Sequence, residues 1–131
     1  MTIKLAEMDP HVTFARQLQQ ETGPVVLVNT FVVAPEDADR LLAVWSEDAA
    51  FMKRQPGFIS TQLHRGTAGS SVFVNVAVWE SAAALRAAFF SPEFRAHVAR
   101  YPDGTTAPHL FEQVAVPGIC VALGAQNHDR G

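Results

Sequence analysis

The sequence predicts an α+β fold in which an antiparallel sheet carries helices on one face, and three observations lead there. Val25–Val33 and Val72–Trp79 both alternate at strand period. Phe58–Arg65 also alternates, and the turn-rich Gly66-Thr67-Ala68-Gly69-Ser70-Ser71 joins it to the second of those runs, which reads as a hairpin. Helical stripes follow the first strand and follow the hairpin. The resulting order of strand, helix, strand, strand, helix, strand makes two similar halves, the split βαβ order of a ferredoxin-like sandwich.

Residues 1–24 read as an N-terminal extension with a short helix. Residues 9–20 open on the cap-like pair Asp9-Pro10, place Val12, Phe14, Ala15 and Leu18 at helical spacing, and end before Thr22-Gly23-Pro24. Residues 25–118 form the main domain. In its first strand Val25, Leu27, Asn29, Phe31 and Val33 oppose Val26, Val28, Thr30 and Val32. Ala34-Pro35-Glu36-Asp37 suits a helix start, and Leu41, Leu42, Trp45, Ala49 and Met52 form an apolar stripe up to Gln55-Pro56-Gly57. In the hairpin, Phe58, Ser60, Gln62 and His64 oppose Ile59, Thr61 and Leu63, and Phe73, Asn75, Ala77 and Trp79 oppose four valines. Ser81 can cap a helix through Ala82, Leu85, Ala88 and Phe89. Ser91-Pro92-Glu93 restarts helical geometry through Phe94, His97 and Val98, which implies a kink. Tyr101-Pro102-Asp103-Gly104 breaks the pattern, and a last strand is expected over 109–116, before Pro117-Gly118. Residues 119–131 make a C-terminal tail, whose polar end from Gly124 onward is expected to fray.

At 131 residues the chain fits one domain, and 48% hydrophobic with 18% charged residues describes a globular protein. A net charge of -3, with Lys and Arg scattered, argues against a nucleic-acid surface. No apolar stretch approaches membrane-spanning length, and the N-terminus has no signal-peptide hydrophobic region, so no membrane partner and a cytoplasmic location are expected. Cys120 is the one cysteine, so an intrachain disulfide is impossible and a buried or tail thiol is expected.

The two strands with an Asn in an apolar row are the most informative segments. Asn75 and Trp79 share a face, and Asn29 occupies the matching place in the first strand. A buried amide and a buried indole N–H each need a partner, so these rows form either a satisfied core or the wall of a polar-studded pocket. Opposite them lie Val72, Val74, Val76 and Val78, for which water is a poor neighbour. A second subunit packed sheet against sheet would cover them, so a homodimer is expected.

There is no glycine-rich phosphate loop, no nucleophile elbow, and no His or Cys pair at metal spacing, so neither a metal nor another cofactor is expected. His11, His64, His97, His109 and His128 are scattered along the chain.

The segments Val28-Asn29-Thr30-Phe31, Gln55-Pro56-Gly57-Phe58, His64 and Asn75-Val76-Ala77-Val78-Trp79-Glu80-Ser81 together resemble the antibiotic biosynthesis monooxygenase family over roughly residues 25 to 116. The resemblance implies a dimeric α/β barrel and an oxidoreductase, and the family includes cofactor-free oxygenases that turn anthrone-type polyketides into quinones with O2. Motif residues of those enzymes of type His, Asn, Trp and Arg fall here on His64, Asn75, Trp79 and Arg95, which are the expected catalytic residues. Asn29, Phe31, Phe73, Leu85 and Phe89 are the expected substrate contacts. Leu85 stands where those oxygenases carry a helix tyrosine, so no phenol role is carried over.

Triplet dioxygen requires one-electron delivery, which an electron-rich phenolate or carbanion can make without flavin or metal. Asn75 and Trp79 are then expected to hydrogen-bond one substrate oxygen and stabilise the anion. Arg95 or His64 would add positive charge or accept the proton. The reading is therefore a monooxygenase of a polycyclic aromatic polyketide, with a haem-degrading monooxygenase of the same superfamily and a non-catalytic polyketide-binding dimer as alternatives. Asn29 matches the first-strand Asn of the haem enzymes, but their helix Trp falls near Ala88 and their iron-ligating His near Val98, one residue from His97.

Overall fold

The computed structural model describes residues 3–122. The elements are β1 (Ile3–Leu5), α1 (Phe14–Leu18), β2 (Val25–Val33), a 3-10 turn over Pro35–Asp37, α2 (Ala38–Met52), β3 (Phe58–Arg65), β4 (Val72–Trp79), α3 (Ala82–Phe89), α4 (Pro92–Val98) and β5 (Gly104–Phe111). The sheet order is β1-β5-β2-β4-β3, antiparallel except for the β1–β5 pair. Its four longer strands have the ferredoxin-like arrangement, with the last strand beside the first and the first beside the third.

Two core clusters take their strand residues from one face of the sheet. Val25, Ala77, Trp79 and Leu110 pack against Phe14, Leu18, Ala82, Leu85 and Ala88, while Phe31, Val33 and Phe73 pack against Ala38, Leu41, Val44 and Tyr101. Helices therefore cover that face alone. The sheet is open within one chain, so the barrel that the family resemblance implies would need a second copy.

Ser81 and Ser91 cap α3 and α4 as the sequence predicts, their hydroxyls accepting from the backbone N–H groups of Ala84 and Phe94. Pro92 in the first turn of α4 makes the restart. Gly57 supplies the turn into β3. Its φ of 87° favours glycine, and a Cβ there would lie 2.4 Å from that of Ala84.

Four expectations need correction. The N-terminal helix is shorter than 9–20, because its cap is Thr13 while Asp9 closes a local turn onto the His11 N–H. The short parallel strand β1 was not foreseen, since three residues are too few to show a period. The last strand is Gly104–Phe111, not 109–116. Pro108 falls inside this strand, where the Thr106 carbonyl accepts from Ala6 on the β1 side, and alternation turns Pro108 the same way, past the end of β1. Its missing N–H thus faces a free edge.

The fourth correction moves the site. Trp79 pairs with Phe58 but Val78 pairs with Ser60, so Ile59 is a bulge residue. Beyond it the rows exchange faces. Thr61 and Leu63 join Phe58 on the helix side, and Ser60, Gln62 and His64 turn to the valine side.

Candidate active site

A polar stripe crosses the helix-covered face of the sheet. Asn29 and Asn75 sit directly opposite each other in the β2–β4 register. Each amide oxygen accepts from a threonine on the outer neighbouring strand, Asn29 Oδ1 from Thr106 Oγ1 at 2.6 Å and Asn75 Oδ1 from Thr61 Oγ1 at 2.5 Å. The threonines fix both amides with their N–H groups unused. Among the described residues no acceptor takes the Asn75 amide N–H groups or the Trp79 indole N–H.

Asn75 and Trp79 line a cavity of about 60 Å³ between sheet and helices. Phe31, Leu85 and Phe89 share its wall, as do Thr61 and Phe58, whose ring meets Trp79 edge-on at 5.4 Å. A second cavity of about 120 Å³ adjoins it, and Phe31, Asp48, Phe89 and Phe94 border both. Phe89 and Phe94 meet with ring centroids 4.6 Å apart and their planes tilted by 36°.

The remaining expected site residues lie elsewhere. Asn29 is beside Asn75 but outside both cavity walls. Phe73 is fully buried in the second core cluster, under the Arg65 guanidinium at 5.2 Å. The bulge puts His64 on the opposite face, where its Nδ1 lies 3.2 Å from the Val74 carbonyl. Arg95 is exposed on α4 and borders neither cavity. Val98, near the haem enzymes' ligand position, packs against the second core cluster.

Asp48 on α2 was missed. It is a buried carboxylate where both cavities meet. Tyr101 Oη donates to its Oδ2 at 3.0 Å. Its Oδ1 has no hydrogen-bond partner, and the nearest basic atom is His97 Nδ1 at 3.6 Å, likewise unpartnered. Burial pushes the Asp48 pKa from 3.8 up to about 6, opposed by the Tyr101 hydrogen bond and by His97. Burial and the neighbouring carboxylate push the Tyr101 phenol up as well. A signal was present: the buried face of α2 is Ala38, Leu41, Val44, Asp48 and Phe51, so a carboxylate occupies a core position of a helical stripe.

A raised carboxylate pKa means that the folded state carries no penalty below pH 3.8, where both states are protonated, and the full penalty above about 6. At 1.36 kcal/mol per pKa unit the full penalty is about 3 kcal/mol. Asp48→Asn keeps an acceptor for Tyr101 and removes the charge. Chemical denaturation should find that variant more stable than the parent by up to about 3 kcal/mol at pH 8, with the gain disappearing near pH 4.

The model of the family described as antibiotic biosynthesis monooxygenase matches residues 24–100. Deoxynogalonate monooxygenase of Streptomyces nogalater is 35% identical over 89 residues, 68% of this chain and 75% of that protein. The crystal structure of SnoaB, a cofactor-independent oxygenase from Streptomyces nogalater, superposes with a TM-score of 0.62 at 33% identity, over 74% of this chain and 99% of its own. A protein from Shewanella loihica PV-4 gives a TM-score of 0.61 at 27% identity, with the same coverage of 74% and 99%. Among the described residues no helix is long and apolar enough to cross a membrane. With the family model spanning most of the chain and the fold shared along nearly the full length of these structures, the chain belongs to the antibiotic biosynthesis monooxygenase family and is an oxidoreductase of the monooxygenase kind.

Proposed function

We propose that the protein oxidises an anthrone-type or related polycyclic aromatic polyketide to a quinone with dioxygen, the substrate itself supplying the electrons, as a homodimer in the cytoplasm. The observation that supports this reading is the pair of unused donors, Asn75 Nδ2 and Trp79 Nε1, on one wall of a cavity whose other lining is apolar except for Thr61 and Asp48. Donors in a dry pocket stabilise an anion strongly, and they need no reorganisation when charge develops.

At 3.3 Å per residue the two positions are about 13 Å apart along the strand, with the small Ala77 between them. That spacing replaces the expectation of one shared substrate oxygen: the two donors straddle a flat ring system and hold one delocalised anion from two sides. The chemistry balances without further reactants. The substrate CH2 loses a proton, the carbanion passes one electron to O2, and the radical pair couples to form a C–O bond. The peroxide is protonated, the second C–H proton leaves as the O–O bond breaks, and the products are a C=O group and water.

Small-molecule sites commonly enclose about 300 Å³ or more, so a three-ring substrate must join the two cavities and also widen them, since together they still fall short of that volume. The Phe89 and Phe94 rings, which border both cavities, are the partition that has to part. On the far face Val32 is 44% exposed and Val72 36% exposed. A sheet-to-sheet dimer would cover them, and light scattering should give twice the chain mass of 14.2 kDa.

The test of the activity is oxygen uptake with dithranol or emodin anthrone, corrected for the spontaneous reaction. One O2 consumed per quinone formed by metal-free, colourless protein is the expected result. A rate no faster than the spontaneous one overturns the proposal in favour of a binder, and activity that follows a bound flavin or haem overturns the cofactor-free mechanism.

A further inference from the structure

Resting on the proposed oxygenation, we infer that Asp48 is the base that takes the substrate proton and later returns it to the peroxide. The reaction needs such a group beside the anion-holding donors, and neither Arg95 nor His64 borders the cavity in this chain. Asp48 is the one carboxylate in the cavity walls. It stands on the border between the two cavities, the ground a substrate joining them would cross.

Its hydrogen bonding suits it to the task. Tyr101 holds Oδ2 at 3.0 Å, which fixes the rotamer, and leaves Oδ1 buried without a hydrogen bond, with His97 Nδ1 3.6 Å away. A carboxylate kept only for structure would have both oxygens satisfied, because each unpaired buried polar atom costs stability. The groups around it are few. His97 faces it from α4 and Tyr101 from the segment after α4, while Phe31 and Thr106 on the sheet share its cavity wall and do not titrate. Next to it on the surface, Glu47 is paired with Arg100.

The proton cycle closes on this one oxygen. Oδ1 takes a proton as the substrate C–H bond breaks, and the electron pair stays on the ring system that Asn75 and Trp79 stabilise. Dioxygen then accepts one electron and couples to carbon. The new peroxide anion recovers the proton from Oδ1, and the carboxylate is restored before water leaves. With its pKa near 6, Asp48 is ionised at neutral pH, and it is a better base than an exposed aspartate.

The experiment measures oxygen uptake with dithranol between pH 5 and 9, together with substrate binding by fluorescence quenching, for the parent, Asp48→Asn and Tyr101→Phe. The parent should lose kcat/KM below about pH 6. Asp48→Asn should lose roughly a hundredfold or more in kcat, bind substrate within about threefold, and show no acid limb. Its rate should recover as pH rises through the pKa of the substrate in solution, since a substrate that arrives as the anion needs no base. Tyr101→Phe should move the acid limb upward, because it removes a hydrogen bond that favours the carboxylate. Circular dichroism checks that each variant is folded.

An Asp48→Asn variant with parental rate and an unchanged acid limb overturns the inference and leaves the proposed oxygenation standing. Loss of binding in step with rate, with no recovery at high pH, also overturns it by showing a purely structural role. A parent that oxidises no anthrone defeats the oxygenation itself, and the inference falls with it.

Discussion

Replacing Asn75 by alanine should slow corrected oxygen uptake roughly ten- to a thousandfold, and Trp79→Phe should do the same, while substrate binding changes far less. Both hydrogen bonds strengthen as charge moves onto the substrate, so their loss appears in kcat more than in KM. The double variant should be less impaired than the product of the single effects, because both donors serve one delocalised anion. Asn75→Ala also strips Thr61 of its acceptor, and Thr61→Val is the control for that. Thr61→Val leaves the amide in place and loosens it, so a modest decrease is expected there. Trp79→Phe retains an aromatic ring against Phe58 and deletes the indole N–H. If both single variants stay folded and oxidise substrate at the parental rate, Asn75 and Trp79 are core residues and the donors lie elsewhere.

That pair was legible because strand alternation is strict wherever no residue is inserted. Val72–Trp79 has no bulge, so parity alone put Asn75 and Trp79 on one face, whereas it is the pairing register of β2 on β4 that sets Asn29 against Asn75. His64 shows the opposite case. Parity placed it with Phe58, but the Ile59 bulge shifted every later residue of β3 to the other face. A bulge depends on how β3 pairs with β4, and nothing within Phe58–Arg65 announces it.

Asp48 escaped for a different reason. An apolar stripe traced through Leu41, Leu42, Trp45, Ala49 and Met52 starts on the buried face of α2 and then follows its half-buried flank, and a carboxylate is passed over when only apolar residues are counted. Its partners His97 and Tyr101 approach from α4 and the segment after it, far along the chain, in contacts no local pattern encodes. The helix starts at Ser81 and Ser91 were readable because capping is a local hydrogen bond between neighbours in sequence. The misplaced start of β5 has a related cause. Whether Pro108 is tolerated depends on which edge of the strand is free, a property of the assembled sheet.

Val76→Asp should convert the protein from twice the chain mass to a single chain in light scattering, with a loss of several kcal/mol of dimer stability. Val76 lies at the middle of the uncovered face, opposite Val28 on one side and Gln62 on the other. In a sheet-to-sheet dimer symmetry would bring such central residues toward their own copies, so the new carboxylates would be buried without cations and would repel each other. Within one chain Val76 is only half-buried and points away from the cavity, so the monomer should still fold, and circular dichroism should show it. Arg65, the cation nearest in β3, leans over Phe73 on the other face and offers no partner. Gln62→Glu is the informative comparison. It adds the same charge beside Val76, toward the polar β3 margin where Ser60 and His64 also lie, and should weaken the dimer less. If Val76→Asp remains a dimer of undiminished stability, copies of the chain do not meet through the valine face, and some other covering must be found for Val72, Val74, Val76 and Val78.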